Sequence, residues 1–88
     1  MEVKDTGYTI FTKTNCNYCT KVKELLQTVQ DVQIINCDHV PKEDLIKFLE
    51  SKTKQTIRTY PMVFLNGKYI GGHDETKTFL EFDLNATF

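Results

Sequence analysis

The sequence predicts one α/β domain, a four-stranded mixed sheet flanked by helices on both faces, in the order β-α-β-α-β-β-α. Three observations carry that expectation. Short apolar runs alternate with stretches whose apolar residues recur at helical spacing. The opening strand–helix–strand unit requires a right-handed crossover and therefore a parallel pair. Between two later apolar runs, Asn66-Gly67 specifies a tight hairpin and therefore an antiparallel pair. The 88 residues are 40% apolar and 26% charged, the composition of an ordinary small globular domain. No linker, repeat or low-complexity segment divides residues 1–88.

Each element has its own signal. Tyr8–Thr12 is a short β-like run. Asn17–Val29 is the first helix, with Tyr18, Val22, Leu25, Leu26 and Val29 on its inner stripe and Lys21, Lys23 and Glu24 toward water. Val-Gln-Ile-Ile-Asn, Val32–Asn36, is the second strand. A second helix opens within residues 38–44, with Pro41 in its first turn and Glu43 and Asp44 near its positive end. Leu45, Phe48 and Leu49 form its inner face, and it ends near Lys52 or Thr53. Met62–Leu65 and Lys68–Ile70 are the hairpin strands. Gly71-Gly72 breaks the second of them, and Asp74 is expected to cap a last helix carrying Phe79 and Leu80.

Charge and cysteine usage narrow the function classes. A net charge of −1 gives no reason to expect nucleic acid or an anionic membrane as the main partner. No apolar run reaches the roughly 18 residues of a spanning helix, and Met1-Glu2-Val3-Lys4-Asp5 lacks the apolar core of a signal peptide. The expectation is a cytoplasmic monomer. Three cysteines are too few, and odd in number, for a secreted disulfide scaffold. In a reducing compartment, neighbouring cysteines point to redox work or to metal.

The chemistry concentrates at Cys16-Asn17-Tyr18-Cys19, where the first strand hands over to the first helix. That position gives Cys16 the unpaired N–H groups and positive dipole end of a helix, which favour a thiolate. Cys19 follows about one helical turn later, close enough to form a disulfide. A zinc reading competes, because Cys16, Cys19, Cys37 and His39 amount to the four ligands of a structural site. Against it, Cys-x-His is a poor second pair, and zinc knuckles place Cys-x-x-Cys on a turn. Cys37 follows a buried-type strand and reads as a small apolar side chain. His39 and His73 read as surface histidines.

A Cys-x-x-Cys beside a βαβ pattern is the thioredoxin-like signature. More specifically, Ile10-Phe11-Thr12-Lys13-Thr14-Asn15-Cys16-Asn17-Tyr18-Cys19 resembles the glutaredoxin active site, and so does the stretch from Arg58-Thr59-Tyr60-Pro61 through Gly71-Gly72-His73-Asp74. Together they are similar to that family's Cys-Pro-Tyr-Cys, Thr-Val-Pro and Gly-Gly-x-Asp elements, in order and in spacing. The resemblance implies a thioredoxin-like fold and a glutathione-dependent thiol–disulfide oxidoreductase, with Cys16 as nucleophile and Cys19 as resolving thiol. It implies a cis Pro61 facing the disulfide. Glutathione, as co-substrate, would lie along Thr59, Tyr60 and Pro61, with Tyr18 as both core residue and site wall. Gly72, His73 and Asp74 would hold its γ-glutamyl end, Asp74 taking the ammonium. Lys13 and Arg58 would neutralise its glycine carboxylate, and Lys13 would also help keep Cys16 ionised.

The same resemblance implies protein disulfides or glutathionylated proteins as clients, ribonucleotide reductase among them, and no required metal. The chain departs from the family at four positions. Asn17 replaces the usual proline, His73 a frequent cysteine and Tyr60 a valine, while Ile46 stands where a polar glutathione contact is expected. Some glutaredoxins without that proline hold a [2Fe–2S] cluster between two monomers, so a cluster carrier is an alternative. A thioredoxin-like donor indifferent to glutathione is another.

Overall fold

The computed structural model describes residues 2–86, with side chains through residue 82. Its elements are β1 (Tyr8–Thr12), α1 (Asn17–Leu25), β2 (Val32–Asn36), α2 (Lys42–Thr53), β3 (Met62–Leu65), β4 (Lys68–Gly71) and α3 (His73–Ala86). The strands form one sheet in the order β2-β1-β3-β4. β1 runs parallel to β2, with Ile10 opposite Ile34, and antiparallel to β3, with Ile10 opposite Val63. β3 and β4 form the hairpin, with Leu65 opposite Lys68 and a register shift between Val63 and Phe64. Asn66 and Gly67 both have positive φ, 52° and 82°, as the tight turn between them requires.

The sheet separates two apolar layers. On one side Phe11, Met62 and Phe64 pack with Cys37, Leu45, Leu49 and Ile57, so this layer lies under α2. On the other, Tyr8, Ile10 and Val63 pack with Val22 and Leu26 and with the half-buried Ile70 and Leu80, the layer under α1 and α3. All five residues of β1 are buried, as a central strand covered on both faces demands.

Helix ends depart from the sequence expectations. α1 stops at Leu25 rather than Val29, because the chain tightens: the Gln27 N–H bonds Glu24 O at 3.3 Å and the Val29 N–H bonds Leu26 O at 3.0 Å. Leu26 is still buried and Val29 half-buried, so turns of three residues carry the apolar stripe onward without helix. Tyr18 is not a core residue; it is 54% exposed, and Cys19 takes the buried place beside Val22. Pro41 is the N-cap of α2 rather than a first-turn residue, and Lys54, in the left-handed region at φ 62°, ends that helix.

Candidate active site

The loop between β1 and α1 is held before the helix begins. Thr12 ends β1 fully buried, whereas Lys13, Thr14 and Asn15 are exposed. Asn15 takes φ 59°, a conformation asparagine tolerates better than most residues. Asp38, just past β2, clamps the loop by accepting from the Thr14 N–H at 2.9 Å and from the Thr14 hydroxyl. Those two bonds hold the Asp38 carboxyl below its ordinary value, the hydroxyl contributing most.

Cys16 is the N-cap of α1, extended at φ −119° and ψ 107°, and its Sγ accepts from the Cys19 N–H at 3.2 Å. Cys16 and Cys19 are joined in a disulfide, with Cα atoms 5.2 Å apart. The two sulfurs are unequal. Cys19 is 1% exposed, while Cys16 is half-buried and open to an attacking partner. After reduction, a helix N-terminus with an N–H aimed at Cys16 favours negative charge on that sulfur.

Next to the dithiol lies a groove of about 300 Å³ lined by Tyr18, Thr59, Tyr60, Pro61, Tyr69, Gly72, His73, Asp74 and Glu75. The Tyr60–Pro61 bond is cis, as expected. Seven sequence-predicted binding residues therefore meet here: Tyr18, Thr59, Tyr60, Pro61, Gly72, His73 and Asp74. Lys13 stands at the rim, its Nζ 5.6 Å from the centre of the Tyr60 ring. Arg58 is placed apart from them. It borders a separate cavity of about 40 Å³ with Lys42, Ile46 and Ile57, and Tyr60 is the wall between the two spaces.

At the far wall, the backbone of β4 turns into α3. The helix begins at His73, so Asp74 lies inside its first turn and is not the cap. Glu75 does that work: its Oε1 accepts from the Gly72 N–H at 2.8 Å. Thr76 completes the turn, its N–H and hydroxyl donating to Gly72 O at 3.0 and 2.7 Å. The interval from Gly72 to Glu75 is that of a capping box, a signal present in the sequence but unused. Gly72 also approaches Pro61 closely; a Cβ there would lie 3.3 Å from Pro61 O. His73 is not a surface histidine. Its side chain is 16% exposed, its Nδ1 is 2.9 Å from Asp74 Oδ1, and its ring lies 5.6 Å from that of Tyr18. His39 is exposed, as expected.

Beneath the groove, the Cys37 thiol donates to the Ile35 carbonyl at 3.8 Å, and Tyr60 packs against the apolar cluster that contains Cys37. Burial is the largest cause that raises each of them, the Tyr60 phenol to about 12. Cys37 is therefore a neutral thiol in the α2-side core and does not compete with Cys16 as nucleophile. Among the described residues, no group of three or more His, Cys, Asp or Glu side chains is placed to hold a metal ion, so the set Cys16, Cys19, Cys37 and His39 is not assembled.

One accessible sulfur, a buried partner that can close on it and a helix end to hold the charge are what thiol–disulfide exchange requires. On this sheet they define a thiol–disulfide oxidoreductase of thioredoxin-like fold. The sequence model named Glutaredoxin matches residues 8–70. A glutaredoxin of Vernicia fordii is 42% identical over 76 residues, which are 84% of this chain and 71% of that protein. A monothiol glutaredoxin of Caenorhabditis elegans is 32% identical over 75 residues, 82% of this chain but 50% of its own length. Among solved structures, the buckwheat glutaredoxin–glutathione complex superposes with a TM-score of 0.71 at 35% identity, covering 91% of this chain and 73% of that one. The chain belongs to the glutaredoxin family, and the Cys16–Cys19 pair makes it a dithiol member.

Proposed function

We propose that this protein reduces protein disulfides and glutathione mixed disulfides at the expense of glutathione. The groove carries the reading. It abuts the dithiol through Tyr18, runs along the exposed Thr59 and the half-buried Tyr60, where a peptide-like ligand would lie, and ends on the Asp74 and Glu75 carboxylates. Glutathione has that shape and charge: a tripeptide with an ammonium at one end and carboxylates at both. Asp74 takes the ammonium, backbone N–H groups at the start of α3 take the adjacent carboxylate, and Lys13 at the opposite rim takes the glycine carboxylate. The likeness to a glutaredoxin that forms a complex with glutathione supports the same assignment. Arg58 contributes at longer range, from behind Tyr60.

In deglutathionylation, the Cys16 thiolate attacks the glutathione sulfur of a mixed disulfide, and the client leaves as a thiolate. A second glutathione then attacks the sulfur of the bound one, releasing oxidised glutathione and restoring Cys16. With an intramolecular client disulfide, Cys16 first joins one client sulfur. Cys19 then displaces the client as a dithiol and closes the Cys16–Cys19 bond, which two glutathiones reopen. Parallel assays of mixed-disulfide reduction, one driven by glutathione and glutathione reductase, the other by thioredoxin reductase, test the proposal. Turnover is expected in the first; turnover confined to the second would mean a thioredoxin-like donor.

A further inference from the structure

The outer face of α3 carries a second, larger cavity of about 550 Å³, lined by Ile70, Asp74, Glu75, Thr78, Phe79 and Phe82. Two features separate it from an ordinary apolar surface. Asp74 and Glu75 line both this cavity and the groove beside the dithiol, so the two spaces share one wall. Its apolar side is also open: Phe82 is 71% exposed, and Ile70 and Phe79 are half-buried.

We propose that this face docks the client segment flanking the disulfide under attack, one that brings a large apolar side chain together with a lysine or arginine. The inference rests on the reading that clients are protein disulfides or mixed disulfides. Continuity fixes the route, because a chain whose sulfur reaches Cys16 beside the occupied groove can run on over the shared wall. Charge fixes the chemistry. Asp74 serves the glutathione ammonium on the inner side, leaving Glu75 for a cation on the outer side. Glu75 commits Oε1 to the Gly72 N–H, and its other oxygen retains acceptor capacity. The apolar side chain of the client fills the space between Phe79, Phe82 and Ile70. Exposed aromatic anchors beside a charged rim are where interface energy concentrates.

Two glutathionylated decapeptides test this, one with Leu and Lys flanking the cysteine, the other with Ser and Glu. Bis(2-hydroxyethyl) disulfide with glutathione serves as a substrate too small to reach α3. The wild type should prefer the Leu/Lys peptide in kcat/KM by roughly tenfold. Phe82→Ser and the uncharged, bulkier Thr78→Gln should each remove most of that preference, chiefly through KM, while turnover of the small substrate stays unchanged. Both substituted residues are exposed, so folding is not at stake. Equal kcat/KM for the two peptides, or an undiminished preference in both variants, would overturn the docking proposal with the glutathione reading intact. Loss of small-substrate turnover in the wild type would instead strike the glutathione reading. Sedimentation that shows a dimer lost in Phe82→Ser would assign the face to a second copy, and would likewise overturn it.

Discussion

At the residue level, the two active-site sulfurs differ through burial and hydrogen bonding rather than through their identity. Cys16 caps a helix and receives an N–H, while Cys19 is packed away beside Val22. Cys16→Ser should therefore abolish every exchange reaction, as measured in the glutathione-coupled assay. Lys13 is held near the Tyr60 ring, at a distance where a cation–π contact contributes about 0.5–1 kcal/mol at an exposed site. Lys13→Ala should raise the KM for glutathione about three- to tenfold with little change in kcat, read from initial rates at varied glutathione. Asp38 acts on the site at one remove, by clamping Thr14. Its carboxyl is lowered in the folded state, so its stabilisation is complete above the ordinary value of 3.8 and is lost as pH falls through the lower folded value. Urea unfolding of wild type and Asp38→Asn should differ most near neutral pH and converge in acid below 3.8. A gap that widened on acidification would contradict that sign. Asp38 did not stand out in the sequence because its partner Thr14 is brought to it by the fold, whereas the Glu75 cap on Gly72 is a local contact three residues apart.

Among the elements, the junction of β4 and α3 joins fold and site most tightly. Gly71 has φ 130°, and a Cβ there would come within 2.5 Å of the Glu75 Cβ. Gly71→Ala would therefore displace Glu75, open the cap on the Gly72 N–H and distort the far wall of the groove. The expected result is a destabilisation of about 1–3 kcal/mol together with a raised KM for glutathione, measured by urea unfolding and steady-state kinetics. Strands were legible where breakers bound them: Tyr8–Thr12 follows Gly7, and Met62–Leu65 lies between Pro61 and Asn66. Helix ends were not. The apolar spacing from Val22 to Val29 suits a helix and a run of tight turns equally, so only the backbone bonds separate them. Tyr18 was misplaced for the same reason. Helical spacing allowed either Tyr18 or Cys19 on the inner face, and the smaller side chain took it.

The whole molecule is a sheet that keeps two apolar layers apart while carrying its chemistry at one end. Phe11 and Phe64 anchor the α2-side layer in an edge-to-face contact with centroids 5.7 Å apart, and both are fully buried. Phe64→Ala should cost about 3–5 kcal/mol, visible as a lowered urea midpoint, and would loosen β3 just after Pro61. The element order and the parallel and antiparallel connections could be read locally, whereas the strand order β2-β1-β3-β4 depends on long-range pairing of β1 with β3. Most of the groove was legible through the family resemblance, because its residues cluster in two stretches of sequence. Arg58 fell outside it because Tyr60, bulkier than the family's valine, stands between. The central claim, that glutathione in this groove can complete the reaction without a second protein thiol, is tested most directly by Cys19→Ser. With a glutathionylated peptide, the folded variant should go on releasing free peptide thiol at a rate that rises with glutathione concentration. A folded Cys19→Ser variant that stalls after one turnover, with Cys16 trapped as the glutathione mixed disulfide in intact-mass spectra, would contradict it.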